Sequence, residues 1–369
     1  MLVPNFIMLF IIVILLSMII QRYYDKKELS ENVERYQKIY QYLLNDTSLI
    51  RNKKPILWIH IPYECNSRKW LDFNSRKTME LNQPYLYLTV QSIIKHCEDS
   101  FNICLIDDSS FSKIIPNWNV DMKIISNPVL MHMRQLAMTK LLYIYGGMVV
   151  PISFVCFKNL DEMYTKGTRN NKIFLCENIN HNVTSSSYNF YPDVQFMGAN
   201  KNNKMIEDLL EFMEKTISND YTSELRFKGE FNRWCNTRVY NREINLIDGK
   251  EVGVKTLDDE PVLIDDLLND DYLNLYNNMY GIWVPSRMIL KRNRYEWFAR
   301  LSAQQALEAN TILSKYMLLA LSPDSEYGVV ESKEASNPNW INFWSVPSNA
   351  PVWGIKPNYL GDNIQPLKM

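Results

Sequence analysis

Leu141-Leu142-Tyr143-Ile144-Tyr145-Gly146-Gly147-Met148-Val149-Val150 carries two periodicities on either side of a glycine pair. Residues 130–145 have the apolar spacing of a helix, and Met148-Val149-Val150 is the short apolar run of a buried strand. Two glycines between them, in a chain with 11 glycines, permit backbone geometry and close packing that larger residues resist. The segment reads as helix, tight turn, strand.

The same alternation extends toward the N-terminus. Pro55-Ile56-Leu57-Trp58-Ile59-His60-Ile61 is a first buried strand stopped by Pro62. Pro84 can open a helix whose face is Leu86, Val90, Ile93, Ile94 and Cys97. Phe101 to Ile106 is a second strand, ended by Asp107-Asp108-Ser109, and Met122 to Ile125 reads as a third. Strand, helix, strand, helix, strand in this order predicts an α/β fold with a mainly parallel sheet and helices on its faces. Such sheets take ligands in the loops beyond the carboxyl ends of their strands. Toward the C-terminus, Lys172 to Cys176 and Val194 to Met197 read as strands, residues 202–217 as an amphipathic helix, and Tyr295 to Leu321 as one long helix.

The ends of the chain have a different character. From Leu2 to Ile20 the polar side chains are Asn5 and Ser17, and a helix of that length spans ~30 Å, the hydrocarbon thickness of a bilayer. The segment lacks a basic start and a small-residue cleavage site, which favours an uncleaved anchor over a signal peptide. Arg22, Lys26, Lys27 and Arg35 follow the span and point to a cytosolic domain by the positive-inside rule. The sequons at Asn45 and Asn182 would instead suit a lumenal one. The expected organisation is a single-pass transmembrane anchor over 1–21, a helical stalk over 22–52, the α/β domain over 53–325, and a Pro- and Trp-rich segment over 326–369 packed on it.

Composition narrows the function. Lys and Arg total 40 against 41 Asp and Glu, and no basic stripe is interleaved with aromatics, which excludes a nucleic-acid partner. The six cysteines are scattered without CxxC or zinc-finger spacing, as expected of reduced structural thiols. GxSxG, P-loop, GxGxxG and HExxH motifs are all missing, which disfavours hydrolase, kinase, dehydrogenase and zincin chemistry.

The Leu-Tyr-x-Tyr-Gly-Gly turn over residues 131–160 resembles that of glycosyltransferases with the DXD motif, the capsular-polysaccharide and α-mannosyl or galactosyl transferase-like families. The resemblance extends to Trp58-Ile59-His60-Ile61-Pro62, Leu105-Ile106-Asp107-Asp108 and Phe196-Met197-Gly198-Ala199. The chain also looks like uncharacterised membrane-anchored proteins of large DNA viruses, which would put it in a host endomembrane or virion membrane. The resemblance implies a Rossmann-like nucleotide-diphospho-sugar transferase fold and a retaining transfer of sugar from a nucleotide donor to a glycan or protein acceptor. In that family two carboxylates after the Gly-Gly strand hold a divalent cation against the diphosphate. Here Pro151 and Ser153 occupy those positions.

What the resemblance implies for the site can be written residue by residue. Ile61 to Glu64 would hold the base, Asp107, Asp108 and Arg134 would lie near ribose and phosphate, and Gly146 and Gly147 would shape the donor pocket. Glu177 and Asp193 are the candidate catalytic acids near the acceptor. Asp107 and Asp108 are equally readable as turn formers, and His60 as a packed histidine. Manganese or magnesium would bind if Asp107 and Asp108 replaced the missing acids, and otherwise no metal is expected. Restoring carboxylates at 151 and 153 would then create cation-dependent binding. The alternative function is a catalytically inactive protein of the same fold, kept as a membrane-bound binding or structural component, including a virion component.

Overall fold

Ile56, Leu57, Trp58 and Ile59 form the centre of strand β1 (Ile56–His60) and are all buried. The computed structural model describes residues 16–18, 20, 54–62, 83–180, 189–219, 227–291 and 293–322. Its contacts divide the chain into Met1–Asn45 and Asp46–Met369, and the architecture below is that of the second unit. In the first unit Leu16, Ser17, Met18 and Ile20 are helical and exposed, and the rest of the expected 2–20 span lies outside the described residues. Among the described residues no helix is long and apolar enough to cross a membrane. The expected stalk, Glu64, Cys65, His181 and the 326–369 segment also fall outside them.

After β1 come helix α1 (Tyr85–Cys97), strand β2 (Asn102–Ile106), the short helix α2 (Phe111–Ile114), helix α3 (Val129–Tyr145) and strand β3 (Gly147–Val149). Strand β1 pairs in parallel with β2 on one side and β3 on the other. The chain therefore crosses the sheet in opposite directions in its first two connections. Right-handed crossovers put α1 and α3 on opposite faces. Their neighbours agree. Helix α1 packs on strand β4 (Phe154–Cys156), while α3 packs on strand β6 (Phe190–Ala199) and helix α5 (Lys204–Ser218), which follows helix α4 (Asp161–Gly167) and strand β5 (Phe174–Ile179).

The sheet continues through β6, β5 and β7 (Asn245–Ile247), in the order β2-β1-β3-β6-β5-β7. Strand β6 is antiparallel to both β3 and β5, and β5 is parallel to β7. All the strands but β6 consequently point the same way, and their carboxyl ends share one edge. A separate pair joins β4 to β8 (Gly281–Trp283), antiparallel. Helix α6 (Glu230–Tyr240) covers β6, and the short helices α7 (Ile264–Leu267) and α8 (Ser286–Lys291) flank β8 in the chain.

The glycine turn has the form expected of it. Gly146 ends α3 at φ 75°, and Gly147 starts β3 at φ 100°. A Cβ on Gly147 would lie 2.0 Å from the carbonyl oxygen of Ile56. The buried Trp58 indole donates to the Gly146 carbonyl at 3.0 Å, so the turn is fastened to the middle of β1.

Two expected elements are not formed. Residues 122–125 make no strand: Met122 is buried, but Ile124 is 82% exposed, so the apolar run has no pleated face to bury. The long helix expected from 295 to 321 is broken into α9 (Glu296–Ala299), α10 (Ala303–Glu308) and α11 (Ile312–Leu321). Ser302 and Gln305 form a reciprocal capping box, and the Thr311 hydroxyl accepts from the Ser314 amide, so each hydroxyl starts a new helix. The five cysteines among the described residues are buried free thiols.

Candidate functional site

Strand order reverses at β1, and the crevice outside the carboxyl ends of β1 and β3 is where open α/β sheets bind ligands. His60 is the last residue of β1, Asp108 lies two residues beyond β2, and Arg134 is in the second turn of α3. The fold brings these residues together. Asp108 Oδ1 lies 2.8 Å from His60 Nε2. Arg134 donates from Nε to Asp108 Oδ1 at 3.0 Å and from Nη2 to Oδ2 at 2.7 Å, a bidentate pair. The Arg134 side chain is 12% exposed and that of Asp108 24%.

Burial pushes the Asp108 carboxyl up, but hydrogen bonds from His60 and Arg134, and then their charges, outweigh it and hold it at about 2. Burial lowers His60, and the Asp108 hydrogen bond only partly opposes that. Beside an ionised, acceptor-only carboxylate, His60 Nε2 carries a proton and donates it. Its ring stacks on Phe111 at 5.3 Å. His60 is thus packed, as the sequence suggested, and it is also a hydrogen-bond donor that fixes Asp108.

Asp107 behaves as a turn former. Its Oδ1 accepts from the Ser110 amide at 2.9 Å, the Ser110 hydroxyl at 2.6 Å and the Ser109 hydroxyl at 2.8 Å. Burial raises its pKa, and these serine bonds pull it below the usual range. Ile61 prolongs the β1–β2 ladder through its amide to the Ile106 carbonyl, 2.8 Å.

Ser153 is 3% exposed, and its hydroxyl donates to the Val284 carbonyl at 2.7 Å, while the Val284 amide donates back to the Ser153 carbonyl at 3.1 Å. Position 153 therefore faces the β4–β8 ladder and not the crevice. Pro151 is half-buried in the turn leading there, its carbonyl accepting from the Phe154 amide. A divalent cation of the kind the family resemblance implies needs hard oxygen ligands. Position 151 offers no side-chain oxygen, Ser153 faces inward, Asp107 is turned into its own loop, and Asp108 is engaged through both oxygens. Among the described residues no group of three His, Cys, Asp or Glu could hold a metal. The residues do not fit that ion.

Glu177 and Asp193 lie elsewhere on the sheet, on β5 and β6. Three strand spacings from β1 to β5 amount to ~14 Å. Glu177 pairs with Lys255 at 2.6 Å and accepts from the Gly249 amide at 3.0 Å. Asp193 is 5% exposed and accepts from Asn178 Nδ2 and the Gln195 amide, each at 3.0 Å. Both acids sit in structural networks separate from the His60–Asp108–Arg134 cluster. A pocket of about 370 Å³, lined by Lys158, Glu162, Lys166, Asp248, Glu251, Tyr280 and their neighbours, adjoins the Glu177 network through Asp248, which pairs with Lys255 at 3.6 Å. Its charges are partly offset from within, Lys166 pairing with Glu162 at 2.5 Å, and it includes none of the residues read from the sequence as functional.

No known family profile matches the chain, and no curated protein matches it. Among solved structures it is similar to the PaToxG glycosyltransferase, at 13% identity and a TM-score of 0.26, over 51% of this chain and 72% of that one.

Proposed function

We propose that this chain binds a nucleotide-diphospho-sugar at the carboxyl edge of β1 and β3 and acts there as a glycosyltransferase-like protein that uses no divalent cation. The observation that carries the reading is the His60–Asp108–Arg134 cluster: a guanidinium locked by a carboxylate at the switch point of the sheet, at the carboxyl ends of β1 and β2 and on the edge opposite the Gly146–Gly147 turn. A preorganised cation in a partly buried crevice suits an anionic ligand, since its desolvation and orientation are already settled in the fold. Calorimetric titration with UDP- and GDP-sugars tests this. Saturable binding in EDTA is the expected result, and the lack of any binding sinks the reading.

A second reading, binding without turnover, is favoured by the engagement of Glu177 by Lys255 and of Asp193 by Asn178 and Gln195. A carboxylate already committed to a lysine is a poor general base. On either reading we place the protein at a membrane through residues 2–20, with a glycan or protein acceptor near the crevice. The chain should stay in the pellet after alkaline carbonate extraction, and a variant lacking residues 1–24 should be released. Full recovery of the intact chain in the supernatant would remove the anchor.

A further inference from the structure

The pocket of about 370 Å³ is built by four separate stretches of chain: Lys158 after β4, Glu162 and Lys166 on α4, Asp248 to Glu251 after β7, and Tyr276 to Tyr280 before β8. Its size is that of a small-molecule site. We propose that it binds an uncharged saccharide, whose hydroxyls donate to the Glu251 carboxylate. Four strand spacings, ~19 Å, separate β7 from β1, so one sugar unit cannot reach both this pocket and the His60–Asp108–Arg134 crevice.

The ligand class follows from which lining groups are already engaged. Lys166 pairs with Glu162 at 2.5 Å, and Lys158 donates to the Asn278 carbonyl and Oδ1 at 2.5 and 2.6 Å. Lys250 donates to the Leu257 carbonyl at 2.9 Å and pairs with Asp259 at 3.1 Å. With its cations committed, the pocket has little to offer an anion. Asp248 accepts from the Lys250 amide at 2.8 Å. Glu251 is different. Its backbone is fixed, the amide donating to the Asp248 carbonyl at 3.0 Å and the carbonyl accepting from the Tyr280 amide at 2.8 Å. Its half-buried carboxylate makes no hydrogen bond or ion pair among the described residues, and burial raises its pKa. A positioned carboxylate that has lost part of its water is stabilised by a donor. A divalent cation is a poor candidate, because no three His, Cys, Asp or Glu among the described residues could hold one. The three lysines and three carboxylates of the lining balance, so a net-charged ligand gains nothing from the pocket as a whole. Hydroxyl groups both donate and accept, which suits a lining of mixed lysine, carboxylate and amide. Tyr276, 36% exposed, adds an aromatic ring of the kind on which the C–H face of a sugar packs.

The test is saturation-transfer NMR on the full chain, in micelles of a detergent without a sugar headgroup. The probes are glucose, galactose, mannose and N-acetylglucosamine with their short oligomers, followed by titration of those that bind. At least one should bind saturably and should not be displaced by UDP or GDP. Glu251→Ala should weaken it by roughly tenfold or more with an unchanged melting temperature, since it removes a hydrogen bond to a charged group. Glu251→Gln, which keeps the shape and one acceptor, should lose less. Sugar binding that is equal in wild type and Glu251→Ala, or that UDP displaces, would overturn the pocket. So would Glu251-dependent binding of putrescine or pyrophosphate in place of a sugar. UDP binding with no binding of any sugar would remove the pocket and leave the nucleotide-sugar crevice standing.

Discussion

Gly147→Ala is expected to cost roughly 4 kcal/mol or more, because two independent penalties meet at one position. The residue sits at φ 100°, a conformation that L side chains rarely adopt. Its new Cβ would also lie 2.0 Å from the Ile56 carbonyl oxygen, and the Ile56 carbonyl carbon is a further contact at 2.9 Å. The neighbour that would have to move is the backbone of β1, which is hydrogen-bonded on both sides and cannot shift without opening the β1–β2 or β1–β3 ladder. Against a total stability of about 5–15 kcal/mol this is a large fraction. Denaturant titration should show the midpoint falling steeply, or the variant failing to fold. An unchanged midpoint would mean that the turn has been misassigned, and the geometry of the crevice with it.

Ser153→Asp carries the second large effect, and it reverses the expectation from sequence that acids at 151 and 153 would rebuild a cation site. The serine hydroxyl is a buried donor to the Val284 carbonyl. A carboxylate there has no proton to give, faces a carbonyl oxygen, and has lost its water. Leaving a charge buried without a partner costs roughly 3–5 kcal/mol. Ser153→Ala removes one hydrogen bond and should cost about 1–2 kcal/mol. Thermal melts of the two variants should therefore differ widely, and manganese should rescue neither Ser153→Asp nor the double variant with Pro151→Asp. A stable Ser153→Asp whose melting temperature rises with manganese would show that position 153 can turn to the crevice.

The elements around the Gly-Gly turn were legible because each carries its own punctuation. Pro84 opens α1, Asp107 stops β2, and the glycines separate the helical period of α3 from the strand that follows. Strands β4, β7 and β8 are three residues each, too short for any period to declare itself. The broken C-terminal helix was a different failure. Ser302 with Gln305 is a capping box in the sequence itself, but the continuous apolar pattern across it hid the break. Met122 to Ile125 misled because apolar composition says nothing of whether a partner strand exists.

Site residues were legible by type and place, but their pairing was not. Asp108 and Arg134 lie 26 positions apart and His60 and Asp108 48, and nothing local links them. The inward turn of Ser153 depends on Val284, 131 positions away, so the difference between a lost ligand and a core hydrogen bond could not be read from the motif.

Metal independence is the claim on which the account turns, and one titration addresses it. UDP- and GDP-sugars are titrated into the wild-type chain in EDTA and again with excess manganese. The account predicts saturable binding of at least one donor, with a dissociation constant that agrees within about twofold between the two conditions, since positions 151 and 153 supply no carboxylate to turn a bound ion into affinity. A donor affinity that rises tenfold or more with manganese would contradict it, and would make Asp107 and Asp108 the ligands of a cation site.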